Sequence, residues 1–416
     1  MQLPIKIGKE TYPALTGIRA VSAILVFFEH FTPVEGWYLN ISAMPFFFVL
    51  SGFLIIRVYY DQAQLTRGWL SRYFINRFAR IYPVYFLLLT LVVFLKHDFQ
   101  PWLLIRNYTL IHALFHDSGS FLIEASWSLT VEECFYFLAP LIMILIRLYN
   151  FFVPLALAVL MLSLALLVSK TGITFLGTPI FVFSTTFFGH FLEFFAGVYL
   201  ALVIMRRETQ QLAQPRQETY NPAHPWQEES QQGIHRLAQP QQKTRELEQP
   251  PREEPQQTHR PGELPQGRRN GIKWTLCGLL GILVLKIPLD NIYGHIPMDH
   301  ASIILINNFL MPFPILLLYF GLITENNILA RILSGKAFGL LGRSSYSFYL
   351  LHILVIMYIG KPLLFQLFGG ARFPTVMLTF VLTYLLSIGL FLFYEQPLNL
   401  FIRKKFIAAG SAPPSQ

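Results

Sequence analysis

Residues 14–34 read ALTGIRAVSAILVFFEHFTPV, and this stretch decides the fold. It has the length and apolar content of a membrane span, yet it carries Arg19 and His30. An ionisable side chain inside a span costs roughly 2.5–3.5 kcal/mol on insertion scales, so its presence points to function. Eleven residues at about 100° each make three turns plus about 20°. Arg19 and His30 therefore share one helix face, about 16 Å apart along the axis. A cation towards one membrane face and an imidazole towards the other, on one stripe, implies a site that crosses the bilayer.

The remainder of the chain is built from similar material. Of 416 residues, 54% are hydrophobic and only 13% charged, which excludes a soluble globule and indicates an all-α polytopic membrane protein. Ten transmembrane helices are expected, at about 14–32, 41–60, 80–96, 126–146, 151–168, 178–204, 272–289, 301–323, 338–360 and 373–394. The first 13 residues are polar and mixed, so the first span is expected to serve as the insertion signal. Cys134 and Cys277 both fall in apolar stretches, read as small core residues without a paired framework.

The net charge of +9 does not imply nucleic acid. With the N-terminus inside, the outside segments hold six of the 32 Lys and Arg residues: Lys96, Arg106, Lys170, Lys286, Lys361 and Arg372. The inside segments hold the other 26, and still 15 when residues 206–273 are left out. The positive-inside rule then places both termini in the cytoplasm of a protein integral to the cell (inner or plasma) membrane. Residues 206–270 are rich in Gln, Pro and Glu, poor in aromatics, and repeat LAQP at 212–215 and 237–240. Such a composition cannot bury a core, so a disordered cytoplasmic linker is expected there. It divides the chain into helices one to six (1–205), the linker (206–270), helices seven to ten (271–400) and a cytoplasmic tail (401–416).

Several polar motifs lie within or beside these spans. RVYYDQAQLTRGWLSRYFINRFARIYP, 57–83, carries five arginines. Arg77 and Arg80 are three apart and share a helix face, so two planar guanidinium forks suit a phosphorylated ligand; topology and lipid headgroups are the alternative explanation. Ser51-Gly52 lies in the middle of span two, where glycine permits close approach of backbone or ligand. SWSLTVEECFYFLAP, 126–140, puts Glu132 and Glu133 near the start of span four, able to orient a histidine or position a hydroxyl. Tyr346, Tyr349 and His352 form a polar stripe in GRSSYSFYLLHILV, and Glu395 is read as ending a helix. His112 and His116 lack a third ligand, so no metal is expected.

Taken in order, Arg19 with His30 eleven positions on, SGFLI at 51–55, RFAR at 77–80, WSLTVE at 127–132, SYSFYLLH at 345–352 and YEQP at 394–397 resemble the type 3 membrane acyltransferases. These integral-membrane proteins O-acylate sugars and other hydroxyl compounds. The resemblance runs from about residue 12 to 400, with the 206–270 insert as its main departure; no esterase-like domain follows span ten, as in the stand-alone form. It implies acetyl-CoA as the usual acyl donor, with Arg19 and His30 essential for transfer, Arg77 and Arg80 in donor handling, and Trp127, Ser128 and Glu132 in a third element. On that basis His30 is expected to act as general base on an acceptor hydroxyl, or to carry the acyl group as an acyl-imidazole, with Glu132 orienting it in preference to Glu29, which points about 100° away from His30 on the same helix. The backbone around Ser51-Gly52 is expected to line the thioester channel. Expected partners are acyl-CoA, a carbohydrate or glycolipid acceptor of the envelope, and membrane lipids. A transporter or flippase for an envelope glycan or lipid is the competing reading; it would favour an inverted repeat, and none is evident.

Overall fold

The computed structural model describes residues 12–31, 43–117, 121–213, 269–293 and 301–407. Most of the predicted linker therefore lies outside the described residues. The chain is almost wholly helical; among those residues a two-stranded pairing joins Arg269–Asn270 to Glu325–Asn326, and a single β-bridge joins Phe115 to Phe175. The helices are α1 (Pro13–Phe31), α2 (Met44–Tyr59), α3 (Arg67–Lys96), α4 (Pro101–Tyr108), α5 (Trp127–Leu148), α6 (Phe152–Ser169), α7 (Pro179–Thr185) and α8 (Phe187–Ala213). Beyond the linker follow α9 (Lys273–Tyr293), α10 (Ala301–Ile304), α11 (Pro312–Thr324), α12 (Ile328–Leu333), α13 (Lys336–Arg343), α14 (Ser345–Val355), α15 (Phe365–Leu367), α16 (Arg372–Leu390) and α17 (Gln396–Ile407). Three π-helical stretches, 305–310, 356–364 and 391–395, join neighbouring α-helices without a break.

Local signals explain many boundaries. Proline opens α2, α4, α7 and α11, where its missing N–H costs nothing. Thr178 and Asn327 cap α7 and α12 by accepting the Phe181 and Ala330 backbone N–H groups. The Glu325 carboxylate does the same for α9 from a distance, accepting from the Trp274 and Thr275 backbone N–H groups at 2.7 and 3.0 Å.

Eight helices among the described residues, several of them joined through a π-helical or short helical stretch, are long and apolar enough to cross a membrane. α1, which carries Arg19, Glu29 and His30, is not among the eight. Side chains of α9 are described only as far as Lys286. Lipid-facing surface is apolar, as on α6, which exposes Leu157, Leu160, Leu164 and Leu167. Cys277 is exposed on that kind of surface rather than buried as expected.

Several spans differ from their predicted limits: the sixth, placed at 178–204, runs on to Gln211, and the tenth, placed at 373–394, runs on to Ile407. The third was placed at 80–96, but α3 begins at Arg67. Its 30 residues are about 45 Å long, against about 30 Å of hydrocarbon, so its arginine-bearing first half extends past the apolar layer. The ninth was placed at 338–360, but the chain turns at Ser344 and the apolar helix runs 345–367.

Helix contact in this bundle depends on small residues. α2 and α8 cross at Gly52 and Gly197. A Cβ on Gly197 would lie 1.9 Å from the Val49 carbonyl oxygen, and one on Gly52 would lie 2.2 Å from that of Phe194. Neither oxygen can move without bending its helix, so only glycine fits. Phe194 then stacks between Phe48 and Phe135, at 4.9 and 4.4 Å between centroids. Gly197→Val is expected to force the two helices apart and cost at least about 1–3 kcal/mol, read as a lowered melting temperature in detergent. A wild-type melting temperature would show that the crossing is not rigid.

Candidate active site

A cavity of about 220 Å³ runs along α2. Its α2 wall extends from Met44 to Ile55, eleven positions apart or about 16 Å of helix. Arg19 of α1, Arg77 and Arg80 of α3, Glu132 and Tyr136 of α5, and Tyr346 and Tyr349 of α14 complete the lining. Five of the residues proposed from sequence, Arg19, Ser51, Arg77, Arg80 and Glu132, thus meet around one space. The lining holds three guanidinium groups and one carboxylate.

The three arginines are held differently. Arg80 is ion-paired with Glu395 and lies over the Tyr346 ring, 5.5 Å from its centroid. Glu395 is 2% exposed, and its other oxygen accepts from Ser347 Oγ at 2.6 Å. Glu395 was expected only to end a helix. It instead sits inside a π-helical stretch and ties α3 to α14. Arg77 lies between the Tyr59 and Tyr136 rings, at 5.3 and 5.4 Å, and donates to Tyr59 Oη at 3.1 Å. Its buried Nε has no hydrogen-bond partner among the described residues. Arg19 makes neither a hydrogen bond nor an ion pair with the described residues and faces the cavity.

Glu132 occupies the middle of the cavity. It accepts from Ser51 Oγ at 2.8 Å and from Tyr136 Oη, and the two hydroxyls lie 3.0 Å apart. Both bonds fall on Glu132 Oε1, and no hydrogen bond among the described residues joins Glu132 to His30, which it was expected to orient. Gly52, expected to line the channel beside Ser51, is turned towards α8 and serves the helix crossing instead. Glu133 has a buried carboxylate oxygen with no partner among the described residues and lies outside the lining.

His30 is absent from the lining and lies just beyond it. Tyr349 lines the cavity and hydrogen-bonds Ser128 Oγ and the Ala125 carbonyl, each at 2.7 Å. His352 packs against Tyr349 with 5.6 Å between ring centroids, and His30 packs against His352 at 5.0 Å. His30 Nδ1 is 2.9 Å from the Val26 carbonyl oxygen. A carbonyl only accepts, so Nδ1 carries the proton and Nε2 the lone pair. Arg19 and His30 therefore stand at the two ends of one polar path, as their spacing predicts. His352 was read only as part of a polar stripe; its contact with His30 joins α1 to α14 and has no sequence signature.

The other polar candidates are structural or remote. Trp127, placed by the family resemblance in the third element, packs on Phe48 and on His190, which bonds Glu193 at 3.1 Å. Buried His112 pairs with Ser126 Oγ at 2.9 Å, and burial outside the spans lowers its pKa to about 4. No group of three or more metal-ligating side chains occurs among the described residues.

Comparison with known proteins bears on the family of the chain. A stretch of 163 residues, 34% of the chain, is 26% identical to the peptidoglycan O-acetyltransferase OatA of Listeria monocytogenes. A stretch of 152 residues, 31% of the chain, is 29% identical to the O-acetyltransferase OatA of Staphylococcus aureus. An uncharacterized protein of Haemophilus influenzae is 31% identical over 121 residues, 24% of this chain and 49% of that protein. The match spans about a quarter of the length of the two OatA proteins. No solved structure matches the chain. Residues 12–392 match the type 3 family model described as an acyltransferase domain, and the chain belongs to that family.

Proposed function

We propose that the protein is a membrane O-acyltransferase, moving an acetyl group from cytoplasmic acetyl-CoA to a hydroxyl of an envelope glycan or related carbohydrate. The observation that carries this reading is the single polar path with an uncommitted guanidinium at one end and an imidazole at the other. Lys and Arg distribution puts the Arg19 end, and both termini, in the cytoplasm.

At about 220 Å³ the cavity is smaller than the roughly 300–1,000 Å³ of ordinary ligand pockets. It suits the slender pantetheine arm and leaves the nucleotide at the basic end. Arg19, with no protein partner among the described residues, is the cation best placed to take a donor phosphate. Arg80 is committed to Glu395, and Arg77 offers its free Nε. Ser51, Tyr136 and Ser128 supply hydroxyls along the arm's course.

His30 Nε2 takes the proton of the acceptor hydroxyl. The new O–C bond forms at the thioester carbonyl, the C–S bond breaks, and the proton passes to the departing thiolate. An acyl-imidazole on the same Nε2 is the covalent variant. Acetylation of a sugar hydroxyl fits the printed names of the OatA relatives, and family membership favours transfer over transport.

The test uses inside-out vesicles from an expressing strain, supplied with acetyl-labelled coenzyme A. Label should reach envelope glycans, and the labelled product identifies the acceptor. Arg19→Gln should raise the donor KM about 10- to 150-fold, equivalent to losing about 1.5–3 kcal/mol of charge-assisted hydrogen bonding. An unchanged KM would remove Arg19 from donor binding; absence of label with native acceptor and intact protein would remove acetyl-CoA as donor.

A further inference from the structure

The chain has no acidic residue between Asp61 and Asp98, and none after Glu395. Two helical segments come from these stretches, the first half of α3 and α17, and both belong to runs that outreach the apolar layer. α3 is about 45 Å long and the continuous run 372–407 about 54 Å, against about 30 Å of hydrocarbon. The two segments pack side by side. Asn399 Nδ2 donates to the Ala79 carbonyl at 2.9 Å, and Tyr394 Oη to the Pro83 carbonyl at 3.4 Å. One number falls as the other rises, so the helices are antiparallel. Continued along both helices, this register puts Lys404 and Lys405 about level with Tyr73 and Phe74.

Their exposed side chains are of two kinds. Arg67, Arg72, Arg403, Lys404 and Lys405 are exposed, and none forms an ion pair among the described residues. Phe74, Phe78, Leu400, Phe401 and Phe406 are exposed among them. Lys405 Nζ lies 5.8 Å from the Phe401 ring centre and 5.5 Å from that of Phe406, so its charge is carried over apolar surface. On α3, Phe78 stacks on Tyr82, and Tyr82 meets exposed Phe86. An aromatic strip thus runs from the basic end of α3 into the apolar layer.

Bare in water, such a surface is unfavourable in two ways: the cations repel one another, and the phenyl rings stay hydrated. An acidic soluble partner would answer the charge and leave the strip uncovered. A lipid with a net negative headgroup answers both.

We propose that the paired surface of α3 and α17 is a binding site for an anionic phospholipid. Its headgroup phosphate meets Arg72, Lys404 and Lys405, and an acyl chain lies along Phe78, Tyr82 and Phe86. A zwitterionic lipid supplies the same chain, but its ammonium group opposes the cations, so the site selects by charge. Arg80, which lines the cavity, pairs with Glu395 in the stretch that leads into α17. A lipid that bridges α3 and α17 therefore also steadies that wall.

The test uses the full chain in detergent, given an equimolar mixture of phosphatidylglycerol and phosphatidylcholine. The two lipids retained after gel filtration are counted. At about 0.15 M salt, wild type should retain phosphatidylglycerol about tenfold over phosphatidylcholine. At about 1 M salt, where the Debye length is about 3 Å, the preference should vanish. Lys404→Gln/Lys405→Gln should retain the two lipids about equally. Arg331→Gln/Lys336→Gln removes the same charge from exposed positions on α12 and α13 and should leave the preference unchanged. The salt comparison needs no substitution, so it decides even if a variant misfolds. A preference that survives about 1 M salt, wild-type preference in Lys404→Gln/Lys405→Gln, or an equal fall in Arg331→Gln/Lys336→Gln would overturn the proposal. So would a Lys404→Gln/Lys405→Gln protein that keeps its phosphatidylglycerol but binds coenzyme A about tenfold more weakly, which would give these cations to the donor nucleotide. Lipid retention does not depend on acetyl transfer, so its failure leaves the acyl-transfer reading standing.

Discussion

His30→Ala is expected to lose acetyl transfer by about 10²–10⁴-fold, the range over which a positioned acid–base group contributes, while the protein remains folded. The variant should fold because the hydrogen bond that His30 makes among the described residues is to Val26 on its own helix. Alanine is the best helix former, so α1 keeps its path. The ring contact with His352 is lost, but His352 still stacks on Phe348 at 6.3 Å between centroids, and Phe348 in turn packs on Tyr384. Chromatographic homogeneity in detergent checks the fold, and labelled acetyl-CoA checks the chemistry. Full activity in a stably folded His30→Ala protein would remove His30 from the reaction.

A change at Glu395 should act on the fold rather than on chemistry. Removing one partner of a buried ion pair costs about 3–5 kcal/mol, because the other charge is left uncompensated. Arg80 opens onto the cavity, with 28% of its side chain exposed, so the lower part of that range applies to Glu395→Leu. Ser347 loses its acceptor in the same step. The expected result is a large fall in melting temperature in detergent, partly recovered when Arg80→Met is added, since the double variant buries no lone charge. A single variant as stable as wild type would show that water or lipid headgroups already screen Arg80.

The relation between Arg19 and His30 was legible because helical periodicity is strict and the two residues share one helix. Gathering Arg19, Ser51, Arg77, Arg80 and Glu132 around one cavity was legible only through the family resemblance, since they come from four helices. Hydropathy hid the first half of α3: five arginines between 57 and 80 resemble a loop when only apolar content is weighed. Helix propensity and side-chain spacing point the other way. Phe78 stacks on Tyr82 at 4.7 Å, and Tyr82 meets Phe86 at 6.0 Å, which are i,i+4 contacts of one continuous helix. Gly52 and Glu395 were misread for one reason. A glycine beside a polar residue serves a ligand or a helix crossing with the same local sequence, and an acid before proline ends a helix or pairs with a distant cation. Only the packing of α2 on α8 and of α3 on α14 separates these alternatives.

The bond between Arg80 and Glu395 joins residues 315 positions apart. A chain emerging from the ribosome inserts α1, α2 and α3 long before residue 395 exists. Until then Arg80 lacks the partner that Glu395 gives it, and until residue 349 has been made the cavity lacks the wall that Tyr346 and Tyr349 supply. The order of synthesis therefore leaves closure of the cavity to the last helices. A chain cut short before them keeps Arg19, Arg77 and Arg80 but lacks both the Glu395 partner and the α14 wall.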